Sequence, residues 1–165
     1  MTGTPLHTPT VQIYRIYIKA TPEAIWDAIT RPEWTERYGY RSPATYDLRP
    51  GGRYQAFASE EMKAMGAPDV AVEGEVIESD PPRRLVQTWH PVWDVETAAE
   101  PVTRLTYEIE AGEAGVTKLT VTHDVTGASH VGAMVAGDLR GAGGGWSELL
   151  SDLKTLLETG KPLAG

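Results

Sequence analysis

Near its C-terminal end, the chain carries a stripe of large apolar residues that one helix cannot bury alone. The stripe recurs at the three- and four-residue spacing of a single helix face, and it consists of Trp146, Leu149, Leu150, Leu153, Leu156 and Leu157. The opposite face is polar and includes Asp152 and Lys154. Gly160 and Pro162 predict the end of the helix, because glycine adopts the left-handed cap conformation and proline cannot continue a helix. The sequence therefore predicts a long helix lying against a sheet.

The residues before this helix predict the sheet. Seven segments have the alternation or the β-branched and aromatic content of strands, namely residues 11–20, 44–49, 53–58, 70–78, 85–90, 102–110 and 117–125. Thr21-Pro22-Glu23 and Arg31-Pro32-Glu33 predict the starts of two short helices after the first strand. Residues 59–69 are expected to form a loop. Many short antiparallel strands with helices near the ends indicate an α+β fold.

Composition excludes several classes of partner. The formal net charge is −8 and the pI is about 5.0, so no basic surface for nucleic acid or an anionic membrane is expected. The chain lacks cysteine, and its four histidines lack metal-ligand spacing, so neither a metal nor another cofactor is expected.

We expect one domain over residues 11–163, preceded by a tail of residues 1–10 that does not resemble a signal peptide. A cytoplasmic protein without a membrane span is the default expectation.

Four motifs in this order resemble the helix-grip superfamily, which includes START-like lipid carriers and polyketide cyclases. They are KATPEAIWDAITRPE, DLRPGG, DPPRRLVQTW and GGWSELLSDLKTLLETGKPL. Within the superfamily, the chain is most similar to the branch of the C-terminal domain of the heat-shock chaperone ATPase activator. The resemblance extends from about Val11 to Leu163. It implies a curved, seven-stranded antiparallel sheet wrapped around the C-terminal helix, with an apolar cavity between them, but it implies no single activity.

Strand alternation predicts which side chains face that cavity. Leu119, Val121 and His123 share one face of the last strand, and Leu105 and Tyr107 share one face of the strand before it. Gly74 is expected to leave open volume beside the sheet. The full set expected to bind a ligand is Trp34, Tyr38, Tyr54, Gly74, Trp89, Trp93, Tyr107, Val121, His123, Trp146 and Leu150.

Three functions from different classes follow from this reading. The leading hypothesis is a protein that binds a small hydrophobic or aromatic molecule, because tryptophan and tyrosine combine an apolar ring with a polar edge. The second is a cyclase- or aromatase-type enzyme with His123 or Tyr107 as its acid–base group. An inward histidine is, however, more commonly a hydrogen-bonded core residue, which is the alternative role for His123. The third is a chaperone-associated module, which the short stretch before the first strand disfavours. The sequence leaves a homodimer open.

The glycine-rich segment 127–145 has two interpretations. Between its glycines, Val131, Met134, Val135 and Leu139 have the spacing of a short amphipathic helix. Together with residues 59–69, the segment could act as a lid over the cavity, or it could be an ordinary connection to the last helix.

Overall fold

The computed structural model describes residues 10–163, so the outer part of the predicted tail lies outside the described residues. Its strands are β1 (Val11–Ile18), β2 (Ala44–Tyr46), β3 (Arg53–Phe57), β4 (Val70–Asp80), β5 (Arg84–Pro91), β6 (Thr103–Ala111) and β7 (Thr117–Asp124). Its helices are α1 (Pro22–Thr30), α2 (Pro32–Thr35), α3 (Glu60–Ala64), α4 (Val95–Ala98), α5 (Ser129–Ala136) and α6 (Gly145–Thr159). Among these helices, none has the length and apolar character that crossing a membrane requires.

The seven strands form one antiparallel sheet in the order β1-β7-β6-β5-β4-β3-β2. Strands adjacent in sequence pair with one another from β2 to β7, and β1 closes onto β7 with Val11 opposite Asp124 and Ile18 opposite Thr117. The sheet is curved and carries α6 against it, which confirms the predicted α+β, helix-grip architecture. The core lies between the sheet and the helices.

The helix α1 begins where the sequence predicts it. The Thr21 hydroxyl accepts a hydrogen bond from the Ala24 N–H at 3.1 Å, and Pro22 occupies the first helical position, where its missing N–H costs nothing. Ile25 and Ile29 are buried on its inner face. The helix α2 follows at once from Pro32, so both short helices after β1 are confirmed.

The apolar stripe of α6 faces the sheet as predicted. Leu150, Leu153 and Leu156 are each at most 4% exposed, and Gly160 closes the helix with a φ of 83°. Asp152, which the pattern assigns to the solvent face, is instead 8% exposed. Its two carboxylate oxygens accept hydrogen bonds from the backbone N–H groups of Gly39 and Leu163 at 2.9 and 2.8 Å.

Two short helices interrupt segments that the sequence leaves as loops. The helix α3 lies within residues 59–69, where the Ser59 hydroxyl accepts from the Met62 N–H at 3.2 Å. The helix α4 follows β5, and the Asp94 carboxylate accepts from the Thr97 N–H at 2.8 Å. In both places, a capping side chain supplies an acceptor that the first turn of a helix otherwise lacks. The strand β2 ends earlier than predicted, at Tyr46.

Candidate functional site

A small cavity lies between the sheet and α6, and it is called the inner cavity here. It measures about 100 Å³. Apolar and aromatic residues dominate its lining, and none of the lining residues carries a charge. Its aromatic residues are Tyr38, Tyr40, Tyr46, Tyr54, Trp89, Trp93, Tyr107 and Trp146.

The inner cavity adjoins a wider surface groove of about 660 Å³, called the outer groove here. The two spaces share five lining residues, Tyr40, Met62, Trp93, Gly145 and Leu149. The outer groove adds residues of α3 and of the glycine-rich segment before α6. The two spaces therefore adjoin each other at these shared residues.

Two tyrosine hydroxyls of the inner cavity have acceptors in the protein. The Tyr38 hydroxyl donates to the backbone carbonyl of Ala28 at 2.7 Å, and the Tyr46 hydroxyl donates to Oε1 of Gln87 at 2.7 Å. Burial raises the pKa of both phenols above the ordinary value. These residues are neutral groups of fixed orientation.

The hydroxyls of Tyr54 and Tyr107 have no acceptor among residues 10–163. Burial raises the pKa of both phenols, so both remain protonated at neutral pH. The Tyr54 ring lies 4.7 Å from that of Tyr46, and the Tyr107 ring lies 6.1 Å from that of Trp146, between centroids. Tyr107 is only partly buried although it lies deep in the molecule, because its accessible surface is the wall of the cavity.

His123 lies on β7 behind the cavity wall, and both of its ring nitrogens have protein partners. Nδ1 accepts from the indole N–H of Trp146 at 3.0 Å, and Nε2 lies 2.8 Å from the Thr103 hydroxyl. That hydroxyl donates its single proton to the backbone carbonyl of Trp89 at 2.7 Å. Nε2 must therefore be the protonated nitrogen, since the Thr103 oxygen can then only accept from it.

This arrangement holds the His123 imidazole neutral. Burial lowers its pKa to about 4, and the nearby Asp124 carboxylate opposes that shift only in part. Protonation of Nδ1 would set it against the Trp146 N–H, donor against donor. His123 thus has no free nitrogen that faces the cavity, and its geometry is that of a hydrogen-bonded core residue. Of the two alternative candidates for an acid–base group, Tyr107 lines the cavity and His123 does not.

The structure brings six of the eleven predicted site residues together at the inner cavity, namely Tyr38, Tyr54, Trp89, Trp93, Tyr107 and Trp146. Val121, His123 and Leu150 are buried but lie outside the lining. Trp34 also lies outside it, on α2, where the Arg37 guanidinium stacks over the indole 4.8 Å from the ring centroid.

Gly74 does not leave open volume beside the sheet, contrary to the sequence-based expectation. A Cβ at this position would lie 2.1 Å from the backbone oxygen of Thr88 on the neighbouring strand β5. The Thr88 hydroxyl also accepts from the N–H of Glu75 at 2.8 Å. Gly74 is required because the two backbones approach each other closely here, and it does not line the inner cavity.

Sequence reasoning missed Tyr46, although a signal for it was present. Alternation along residues 44–46 puts Ala44 and Tyr46 on one face, and β2 pairs with β3 so that Tyr46 lies opposite Tyr54. The wall residues Met62 and Leu149 join the site through long-range packing, which no local pattern encodes.

The helix α5 in the glycine-rich segment is tied to the rest of the protein at both faces. Its first turn donates backbone N–H groups of His130 and Val131 to the Glu100 carboxylate at 3.0 and 2.7 Å. The buried Gln12 amide of β1 donates to the Gly132 carbonyl at 2.9 Å. These contacts anchor α5, and residues 141–145 beyond it form part of the wall of the outer groove.

Comparison with known families identifies the chain. The family model described as Activator of Hsp90 ATPase homolog 1-like protein matches residues 19–158. The chain belongs to this family. Within residues 10–163, no three His, Asp or Glu side chains converge as metal ligands. No curated protein sequence matches the chain.

Solved structures share the fold of this family member. CalU16 from Micromonospora echinospora, determined in solution, is 22% identical with a TM-score of 0.63, over 94% of this chain and 69% of CalU16. DynU16, a protein of the dynemicin biosynthetic locus, is 22% identical with a TM-score of 0.64, over 93% of this chain and 49% of DynU16. An HSP90 activator from Plasmodium falciparum is 24% identical with a TM-score of 0.53, over 69% of this chain and 71% of that protein. The match thus spans about half of DynU16, and these likenesses establish the fold alone.

Proposed function

We propose that this protein binds a small hydrophobic or aromatic molecule in the inner cavity, with the outer groove as its entrance. The observation that carries the proposal is the lining, in which tyrosine and tryptophan side chains of four strands and of α6 surround one space. Such rings offer apolar faces for contact and polar edges for orientation.

Volume limits the size of the buried part of the ligand. Drug-sized ligands occupy pockets of roughly 300–1,000 Å³, and an engineered apolar cavity of about 150 Å³ binds benzene. The inner cavity, at about 100 Å³, is smaller than either and can enclose only one end of a small aromatic molecule. A larger ligand would extend past Tyr40 and Trp93 into the outer groove of about 660 Å³.

Titration with N-phenyl-1-naphthylamine, a neutral aromatic fluorophore, tests the proposal. We expect saturable enhancement of its emission with one site per chain. Ala56→Leu adds a side chain at the cavity wall and should weaken binding at least about tenfold. Ala99→Leu, at an exposed position after α4, is the matched control and should bind like the wild type.

Each binding experiment is accompanied by a thermal melt of the same variant. Ala44→Leu, at another wall position, provides a second cavity-filling variant if Ala56→Leu does not fold. Unchanged binding in a folded, cavity-filled variant would contradict the proposal, as would the absence of saturable binding across a panel of neutral aromatic probes.

A second candidate function is stimulation of the Hsp90 ATPase, which the family description and the Plasmodium falciparum structure support. Its test is the steady-state ATPase rate of Hsp90 with and without this protein. A rate increase that persists in Ala56→Leu would assign that activity to a surface other than the inner cavity. An unchanged rate at saturating protein would exclude it.

A further inference from the structure

The tyrosines of the inner cavity differ in where their hydroxyl protons go. Tyr38 and Tyr46 each donate to a protein oxygen at 2.7 Å. Tyr54 and Tyr107 find no acceptor anywhere in residues 10–163, and neither oxygen is sealed off from the cavity. The inner cavity therefore offers two O–H donors that await an acceptor.

The chemistry of a phenol defines what these two hydroxyls offer. A phenol hydroxyl carries one proton, which it donates to an acceptor if one lies within reach. Because neither hydroxyl has an acceptor within residues 10–163, both can donate to an acceptor that a ligand brings into the cavity.

Both donors line the same small space. Tyr54 on β3 and Tyr107 on β6 are both lining residues of the inner cavity, which measures about 100 Å³. The Tyr107 ring is fixed edge-on to Trp146, with 6.1 Å between the centroids. A ligand end that occupies this space therefore lies against both side chains.

We propose that the ligand of the inner cavity is a neutral aromatic molecule whose buried end carries a hydrogen-bond acceptor, such as a ketone or quinone oxygen, held by Tyr54 and Tyr107. This inference rests on the proposed binding function and adds the chemistry of the ligand. A hydrocarbon end would leave both donors desolvated without a partner. A carboxylate would enter a space with no charged lining residue to pair with it.

The test compares two probes of closely similar shape, 2-acetonaphthone and 2-isopropenylnaphthalene, in which a CH₂ group replaces the ketone oxygen, by quenching of tryptophan fluorescence. The ketone should bind the wild-type protein at least about tenfold more tightly, because only it accepts hydrogen bonds from the two hydroxyls. Tyr54→Phe and Tyr107→Phe should each reduce that preference about fivefold or more. Tyr17→Phe, 59% exposed on β1, should leave the preference unchanged.

The outcomes separate this inference from the binding function beneath it. Equal affinity of the wild type for ketone and hydrocarbon would overturn the inference and leave cavity binding intact. A preference that survives in both phenylalanine variants would also overturn it. The ratio of the affinities for ketone and hydrocarbon is measured on the wild-type protein alone, so a variant that does not fold cannot obscure this result. Failure of both probes to bind would contradict the binding function itself.

Discussion

The indole N–H of Trp146 donates to Nδ1 of His123 at 3.0 Å, so a residue of the cavity wall is hydrogen-bonded to a fully buried residue of β7. The bond fixes the rotation of the Trp146 ring, which packs against Tyr107. It also joins the first turn of α6 to the sheet. The shape of the inner cavity thus depends on the protonation state of one imidazole that lies behind it.

Stability should fall in mild acid because of His123. Its folded-state pKa is about 4 and its ordinary value is 6.5, so between these values the unfolded chain binds a proton that the folded chain does not. The stabilisation is complete above about pH 6.5 and is lost as pH falls toward 4. Its full value is about 3 kcal/mol. Urea unfolding at pH 7 and pH 4.5 measures the loss.

The control for this measurement is His123→Gln, which cannot titrate. Between pH 7 and pH 4.5, wild type should lose about 2 kcal/mol more free energy of unfolding than the variant. Equal losses would show that His123 does not titrate as its surroundings dictate. Independently, long-range ¹⁵N–¹H spectra at pH 7 should show the Nε2–H tautomer, and an Nδ1–H pattern would contradict the assigned hydrogen bonds.

Leu153→Ala should lower the free energy of unfolding by about 2–5 kcal/mol. Leu153 is 1% exposed in the core beneath α6, so truncation removes apolar contact and leaves a cavity. Ser147→Ala, on the exposed face of the same helix, should change stability by less than about 0.5 kcal/mol. Denaturant melts of the two variants check the orientation of the helix, and similar losses would refute it.

Gly74→Ala should destabilise the protein by about 2 kcal/mol or more, because its Cβ would collide with the Thr88 carbonyl oxygen. The neighbouring Glu75→Ala, at an exposed position, serves as the control and should stay within about 0.5 kcal/mol. Chemical denaturation measures both. Wild-type stability in Gly74→Ala would mean that the strands are further apart than the structure places them.

Asp152→Asn should destabilise the protein by about 1–3 kcal/mol. Asparagine keeps one carbonyl oxygen but sets an NH₂ group against the N–H of either Gly39 or Leu163, and both lose a charge-assisted bond. Glu148→Gln removes the same charge from the exposed face of α6 and should be nearly neutral. Thermal melts compare the two variants. If both lose the same stability, then the loss of a negative charge, and not of the hydrogen bonds, is the cause of the destabilisation.

Much of the fold could be predicted because its signals are local. Alternation placed Leu119, Val121 and His123 on the inner face of β7, where all three are fully buried. The capping pattern at Thr21 located α1. Each of these inferences needs only the period of the element and the polarity of neighbouring residues.

The rest depends on partners far apart in the sequence. Periodicity assigns Asp152 to solvent, because nothing near it reveals that distant backbone N–H groups will meet its carboxylate. The role of His123 depends on Trp146 and Thr103, which the fold alone brings to its two nitrogens. Gly74 could be read as empty space or as close backbone contact, and only the register of β4 and β5 decides between them.

The closure of β1 onto β7 has a consequence for biosynthesis. Each residue of β1 pairs with one that follows it by about a hundred positions. At translation rates of roughly 5–20 residues per second, the first strand leaves the ribosome several seconds before its partner exists. During that interval the edge of β1 that will pair with β7 is unpaired. The outward-facing Ile13 and Tyr17 of the same strand are exposed as well, since they are 50% and 59% exposed even in the folded sheet. The nascent chain is therefore most prone to aggregate before β7 emerges. A chain truncated before residue 117 lacks the partner of β1 and should remain prone to aggregate.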